Sequence, residues 1–268
     1  MAKRKSLIDF EKRWKTGAGQ GEGPSYKPWL TVQSFPSLGR SHRVKGWKTF
    51  RKHQLLSDLE LQYFYVLEWS KAVVDIREQY PLWPRETTKT VADQLGLKHP
   101  IIPGTTELSV MTTDFLITIQ DQGQSREIAR TTKYVKELEK PRVIEKLEIE
   151  RLWWEAKGVD WGIVTENELP QNLIRNIKNL HDLKTLDGFP QLQQDHHELV
   201  QHLTTAVQKS TRSLASIASR CDAEMGLSSG SCLALAKHLI VNRRWVIDLE
   251  SEFRPTQRLE LLDVRLEV

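Results

Sequence analysis

Residues 111–133 read MTTDFLITIQDQGQSREIARTTK, and this stretch decides how the surrounding chain folds. Two runs with alternating apolar residues flank a turn rich in Gly, Gln and Ser, which is the pattern of a β-hairpin. Asp114 stands at the start of the first run and Lys133 at the end of the second. Because antiparallel pairing brings these two ends together, we expect a carboxylate and an ammonium group to meet at one edge of a sheet.

The segments on both sides of this hairpin predict a mixed sheet flanked by helices. Ahead of it, Ser57 followed by Glu60 forms a capping box that predicts a helix through LQYFYVLEW, and VVDIR at residues 73–77 predicts a strand. Behind it, Pro141 opens a helical segment, and WGIVT predicts a short strand. This order of elements indicates an α/β fold. Glu60 either serves only to cap the first helix or projects from its first turn toward the sheet that carries Asp114, and the two roles compete for the same oxygens.

The 268-residue chain has the composition of an ordinary globular protein, with 39% hydrophobic and 28% charged residues. No apolar run is long enough to span a bilayer, and the N-terminal sequence MAKRKSLIDF lacks the apolar core of a signal peptide. We therefore expect a cytosolic protein with no membrane contact. Cys221 and Cys232 lack metal-ligand spacing, so reduced cysteines in a helical core are expected.

The charge of the chain is unevenly distributed. Residues 1–54 hold thirteen Lys or Arg against three Asp or Glu, whereas the remainder holds 26 against 32. Residues 1–25, which include the Gly-rich GAGQGEG, are expected to form a basic flexible arm. Such an arm either docks on a polyanion or is a solvated tail, and the interleaved aromatic residues of this region favour docking.

The basic cluster GRSHR lies within residues 26–54, where several Pro and Gly residues predict irregular structure. Arg40, His42 and Arg43 of this cluster are candidate contacts to DNA phosphates. The alternative is an exposed loop without a ligand.

Residues after Thr165 predict a second, helical domain. Two helical segments separated by a tight Gly-Leu-Ser-Ser turn precede two alternating runs around Arg254-Pro255, which is the winged-helix pattern. The expected recognition helix begins near Ser229 and carries Lys237, His238, Asn242, Arg243 and Arg244. Because this half has no basic excess, DNA binding and protein docking stay open as alternatives.

The acids and the lysine of the first domain match what phosphodiester hydrolysis requires. Mg²⁺ lowers the pKa of a bound water and offsets charge on the phosphate, and carboxylate and carbonyl oxygens are its usual ligands. Asp114 and Glu60 are therefore candidate metal ligands, together with the carbonyl of Thr132. Lys133 is placed to orient the water or to offset charge in the transition state. No Ser-His-Asp, cysteine-nucleophile, P-loop or dinucleotide motif points to another chemistry.

Five blocks within residues 26–165 resemble, in order, the TnsA endonuclease subunits of heteromeric Tn-seven-type transposons: KPWLTVQSFPSLGRSHR, LLSDLELQYF, VVDIREQYPL, MTTDF and EKLEIERLWW. The resemblance implies a restriction-endonuclease-like catalytic domain over residues 26–166 and a winged-helix-like domain over residues 167–268. It also implies Mg²⁺-dependent cleavage, with Mn²⁺ as a substitute, of the non-transferred (5′) strand at transposon ends. A protein of the bacterial cytoplasm, associated with the nucleoid when in complex, follows from that activity.

The same resemblance implies partners and site residues. The partners are transposon-end DNA, a DDE-type transposase (TnsB) and an AAA+ ATPase regulator (TnsC), which is expected to contact the C-terminal domain. The family's helix glutamate, strand aspartate and lysine fall on Glu60, Asp114 and Lys133. Two residues before that lysine, where the family pattern has Gln or Glu, this chain has Thr131, a weaker and neutral ligand. We therefore expect Thr131 in a catalytic position, with the Thr132 carbonyl and waters completing the metal shell.

Two other functions stay open from the sequence. A non-catalytic DNA-binding or assembly factor would keep the fold without metal dependence, and its DNA affinity would fall steeply with salt. A stand-alone restriction-type nuclease would cut DNA without partner proteins. The joint presence of Glu60, Asp114 and Lys133 favours the partner-dependent nuclease.

Overall fold

The computed structural model describes residues 10–33, 40–192 and 196–265. The chain divides into two compact units, of which the first ends at Leu169 and the second begins at Pro170. Among the described residues, no helix is both long enough and apolar enough to cross a membrane.

The first unit combines helices with two sheets. Its elements are, in chain order, α1 (Phe10–Lys15), β1 (His42–Lys45), β2 (Lys52–Leu55), α2 (Asp58–Trp69), β3 (Val73–Pro81), α3 (Arg85–Gln94), β4 (Thr112–Asp121), β5 (Gln124–Thr132), α4 (Pro141–Glu155) and β6 (Asp160–Val164). Strands β1 and β2 form an antiparallel pair, and the other four form one sheet in the order β3-β4-β5-β6. Within that sheet β3, β4 and β5 are antiparallel neighbours and β6 runs parallel to β5, which confirms the predicted mixed sheet.

The hairpin predicted over residues 111–133 consists of β4 and β5. Its turn, Gln122-Gly123, has φ angles of 47° and 82°, the two positive values that a type I′ turn requires. The register pairs Phe115 with Arg130 near the open end. Asp114 precedes Phe115 and Lys133 follows the last residue of β5, so the open end brings the two together as expected.

Helix α4 packs large apolar side chains against this sheet. Ile149, Trp153 and Trp154 are each no more than 5% exposed, and they cluster with Leu116 of β4 and Ala129 of β5. Large aromatic side chains bury more apolar area than any other residues, so this contact fixes α4 firmly on the sheet.

Residues 42–55 differ from the irregular structure predicted for them, because they form the β1–β2 hairpin. Gly46 is needed at its turn, since a Cβ there would lie 2.7 Å from the Nε2 atom of His53. On the inner side, His53 Nδ1 lies 2.7 Å from Glu78 Oε2, to which Arg51 also donates at 2.6 Å. The prediction was wrong because these stabilising contacts reach β3, far along the chain, and leave no local pattern.

The N-terminal segment also differs from the flexible arm expected for residues 1–25, of which residues 1–9 lie outside the described ranges. Helix α1 holds Phe10 at 7% exposure and Trp29 is 1% exposed. Trp29 N donates to the carbonyl oxygen of Gln79 in β3 at 3.1 Å. Two aromatic residues of this region, Phe10 and Trp29, are thus buried within the first unit itself.

The second unit is mostly helical. Its elements are α5 (Gln171–Leu180), α6 (His196–Lys209), α7 (Leu214–Glu224), α8 (Ser231–Val241), β7 (Trp245–Val246) and β8 (Asp263–Val264). Helices α7 and α8 are the two helices predicted around the tight turn, whereas the antiparallel strands β7 and β8 have only two residues each. The winged-helix assignment therefore stays a prediction. Cys221 and Cys232 are buried and free, as expected.

Candidate active site

Glu60 lies in the first turn of α2, where hydrogen bonds hold both of its carboxylate oxygens. Its backbone N donates to Ser57 Oγ at 3.1 Å, and Ser57 Oγ donates to Glu60 Oε1 at 3.1 Å. The other oxygen, Oε2, accepts from Leu56 N at 2.8 Å and from Gln79 Nε2 at 3.0 Å. The predicted cap therefore exists, and it directs the carboxyl group toward strand β3.

Burial governs the protonation of Glu60. The residue is 5% exposed, and burial together with the nearby negative charge of Asp114 raises its pKa to about 8. The hydrogen bond from Leu56 N and the positive charge of Lys133 act in the opposite direction but are weaker. At neutral pH Glu60 is therefore mainly protonated in the metal-free protein, and a cation between it and Asp114 would favour ionisation.

Asp114, Thr132 and Lys133 form the centre of the site at the open end of the hairpin. Asp114 Oδ2 accepts from Thr132 N at 2.7 Å, from Thr132 Oγ1 at 3.0 Å and from Lys133 Nζ at 3.4 Å. Lys133 Nζ also donates to the Thr132 carbonyl oxygen at 2.8 Å. The ammonium group therefore lies between Asp114 Oδ2 and the Thr132 carbonyl oxygen, the two atoms predicted from the sequence to be metal ligands.

Lys133 is a cation rather than a proton acceptor at neutral pH. Burial lowers its pKa, but the negative charges of Asp114, Glu150 and Glu60 outweigh this effect, so that the pKa is raised overall. About a third of the side chain, 32%, is exposed. A charged lysine that is partly exposed can contact a phosphate oxygen.

Glu150 is a buried acid of the site that the sequence analysis missed. Its Oε1 accepts from Thr113 Oγ1 at 2.8 Å, from Trp161 Nε1 at 3.0 Å and, at shorter range, from Thr131 Oγ1. Burial raises the pKa of Glu150 to about 7 although these hydrogen bonds lower it, and the charge of Asp114 raises it further. Two carboxyl groups near Asp114 thus have pKa values close to or above neutrality.

Thr131 contacts this acid. Its side chain is 2% exposed, and its hydroxyl donates to Glu150. A carboxylate carried by α4 therefore reaches the position at which the resemblance expected Gln or Glu. A signal did exist in the sequence, because Glu150 precedes Trp153 by three residues and so lies on the apolar stripe of α4, where acids are uncommon.

Gln79 is the second missed residue. It is 2% exposed and has a φ of 52°, a conformation that residues other than Gly rarely adopt. Its Nε2 donates to Glu60 Oε2 at 3.0 Å, and its carbonyl accepts from Trp29 N at 3.1 Å. Such strained residues persist where their surroundings hold them, and they concentrate at functional sites.

The three DNA-contact candidates lie on or just before β1. Arg40 and Arg43 are exposed, while His42 Nε2 lies 2.6 Å from Asp58 Oδ1 in the first turn of α2. This contact places the start of β1 beside the helix that carries Glu60.

The donor set fits a divalent cation of the kind that the resemblance implies. Asp114 Oδ2 and the Thr132 carbonyl oxygen already converge on one positive group, Lys133 Nζ. Both are hard oxygen donors, which Mg²⁺ and similar ions prefer. Glu60 adds a carboxyl group whose charged form is disfavoured mainly by burial and by Asp114, a penalty that a bound cation would remove.

Both halves of the chain are similar to known protein families. Residues 70–166 match the family described as TnsA-like endonuclease N terminal, and residues 168–249 match the family described as TnsA endonuclease C terminal. The chain is also 38% identical to the Transposon Tn7 transposition protein TnsA of Escherichia coli over 256 residues, which cover 96% of this chain and 91% of that protein. With both halves matched and a relative of this similarity along nearly the whole length, the chain belongs to the TnsA family of DNA endonucleases.

Proposed function

We propose that this chain is the Mg²⁺-dependent endonuclease subunit of a heteromeric transposase and that it cuts the non-transferred (5′) strand at transposon ends. The observation that carries the proposal is the convergence of Asp114 Oδ2 and the Thr132 carbonyl on Lys133 Nζ. The buried carboxyl group of Glu60 is close enough to Asp114 for their charges to interact. The likeness to an Escherichia coli protein named for transposition supports the biological context.

In this proposal the side chains divide the work of phosphodiester hydrolysis. Asp114, the Thr132 carbonyl and Glu60 would hold the Mg²⁺, which would lower the pKa of a bound water and polarise the phosphate. Thr132 N and Oγ1 fix the carboxylate of Asp114 in one orientation. Lys133 offsets the negative charge that grows on the phosphate oxygens in the transition state. Glu60 would hold the ion in its deprotonated form, since metal ligation requires the carboxylate.

We assign partner binding to the second domain, residues 167–268, as a winged-helix-like module that contacts the AAA+ regulator (TnsC). Two side chains of the expected recognition helix are engaged within the unit. His238 Nδ1 lies 2.9 Å from the carbonyl oxygen of Leu183, and Asn242 Nδ2 donates to that of Lys184 at 3.1 Å. Side chains that already form hydrogen bonds within the unit are not available to contact the edges of DNA bases, so protein docking is favoured over DNA recognition. The DDE-type transposase (TnsB) and the transposon-end DNA are the other partners of the complex.

The test is cleavage by Asp114→Asn in the complex reconstituted with the transposase and the regulator. End-labelled transposon-end DNA in the presence of Mg²⁺ reports each strand separately. We expect loss of 5′-strand cleavage while thermal unfolding and partner binding stay as in the wild type. Cleavage of that strand at the wild-type rate by the variant, or by the wild type in EDTA, would overturn the proposal.

A further inference from the structure

The outer face of the β1–β2 hairpin carries a group of positive charges. The register places Lys45 directly opposite Lys52, with Arg43 two residues before Lys45 on the same face. All three are exposed, whereas His53 and Leu55, which alternate with Lys52 along β2, are buried. One face of the hairpin therefore belongs to the core, and the other presents cations to solvent.

These charges are not balanced within the protein. Among the described residues, Arg43, Lys45 and Lys52 take part in no ion pair. Like charges directly opposite each other destabilise an antiparallel pair, so Lys45 and Lys52 work against the fold that contains them. An external anion bound to this face would relieve the repulsion.

A large apolar side chain stands at the turn of the same hairpin. Phe50 is 73% exposed and has a φ of 57°, which is unfavourable for a bulky residue. The turn itself is held to the body, since Lys48 Nζ donates to the carbonyl oxygens of Ser70 at 2.7 Å and Val73 at 2.6 Å and Thr49 is fully buried. Phe50 is thus presented to solvent from a fixed and strained position.

The hairpin is continuous with the candidate active site. Strand β2 ends at Leu55, and the next residue, Leu56, donates its N–H to the Glu60 carboxyl group. From Leu55 back to Lys52, strand β2 extends about 10 Å at roughly 3.3 Å per residue. A ligand lying along this face therefore reaches from Phe50 to the cluster of acids.

We propose that the hairpin face, defined as Arg43, Lys45, Lys52 and Phe50, docks on duplex DNA next to the bond that is cut. This inference rests on the proposed nuclease function and adds a substrate-holding surface to it. The cations contact backbone phosphates, and Phe50 enters the minor groove as an apolar wedge. Duplex DNA is the favoured occupant because it supplies a row of anions and because the face leads to a site for phosphodiester hydrolysis.

The first experiment measures the salt dependence of DNA binding. The full chain and its Lys45→Ala/Lys52→Ala variant are titrated into a fluorescent duplex of transposon-end sequence at several KCl concentrations, with anisotropy as the readout. Loss of two phosphate contacts is expected to reduce the slope of log K against log salt by about 2 and to weaken binding about tenfold or more at low salt. Lys98→Ala/Lys157→Ala, which removes two exposed lysines elsewhere in the first unit, is the matched control. Equal slopes for the two double variants would overturn the proposal.

The second experiment locates Phe50 in the assembled complex. A photoreactive phenylalanine analogue at position 50 is irradiated in the presence of the transposase, the regulator and labelled DNA. We expect a covalent adduct with the DNA, whereas an adduct with a partner protein alone, or none, would refute the assignment. The Asp114→Asn variant separates the two hypotheses, because it should lose cleavage and keep both the salt slope and the adduct. If that variant still cleaves, the nuclease assignment fails while the binding data stand.

Discussion

Replacing Glu60 by Gln is expected to abolish DNA cleavage and, at the same time, to stabilise the metal-free protein. Gln keeps the shape of the side chain but cannot ionise. Its oxygen can still accept from Leu56 N and Gln79 Nε2, and its nitrogen can donate to Ser57 Oγ, so the cap is preserved. A loss of activity coupled to a gain in stability is typical of a group that function holds in an unfavourable environment.

The size of the stabilisation follows from the pKa of Glu60. An acid whose pKa is raised by folding binds its proton more tightly in the folded state. The free energy of unfolding therefore falls as the pH rises from the ordinary value of 4.5 to the folded value of about 8. Each pH unit inside this window costs about 1.4 kcal/mol, so Glu60 removes about 2 kcal/mol of stability between pH 5.5 and pH 7. The Glu60→Gln variant lacks this loss.

Urea unfolding in EDTA at pH 5.5 and at pH 7, followed by tryptophan fluorescence, measures the effect. The advantage of Glu60→Gln over the wild type should grow by about 2 kcal/mol between the two pH values. Glu139→Gln, which neutralises an exposed acid of the same unit, is the matched control. Its free energy of unfolding should differ from that of the wild type by the same amount at both pH values. An advantage of Glu60→Gln that is the same at both pH values would refute the reasoning.

Three further outcomes are expected. Gln79→Leu removes a donor to Glu60, so single-turnover cleavage should fall about tenfold or more while DNA affinity is kept; unchanged cleavage would contradict a positioning role. Glu78 is expected to stabilise the fold above pH 4.5, because His53 and Arg51 lower its pKa to about 2 although burial raises it. The free energy of unfolding of the wild type should therefore fall by about 2 kcal/mol between pH 4.5 and pH 3. The midpoint of urea unfolding of Glu78→Gln should not show this fall between the two pH values. Mg²⁺ should raise the unfolding temperature of the wild type but not of Asp114→Asn, as measured by differential scanning fluorimetry; an equal rise in both would argue against Asp114 as a ligand.

The parts of the fold that could be predicted from the sequence have local signals. The alternating runs around Gln122-Gly123 identify the β4–β5 hairpin, and the hairpin alone brings Asp114 next to Lys133. The Ser57 cap likewise places Glu60 at the start of a helix, because the pattern and its hydrogen bonds lie within four residues.

The features that escaped prediction depend on contacts between distant residues. The β1–β2 hairpin is stabilised from outside, by Glu78 on β3, and its own sequence lacks clear alternation. Gln79 acquires its role only after Glu60 and Trp29 have been brought to it. For Glu150 the local pattern did carry information, since an acid on the apolar stripe of α4 needs hydrogen-bond partners when it is buried. The sequence did not indicate which strands would supply those partners.

The two hydrogen bonds of Gln79, one to Trp29 and one to Glu60, limit how far the enzyme can be shortened. A truncated protein that begins after Trp29 would contain each acid of the site and its lysine, yet the backbone of Gln79 would lose the donor that braces it in an unfavourable conformation. We therefore expect the smallest fragment that keeps the site intact to begin ahead of residue 29, although all of its catalytic side chains lie after that residue.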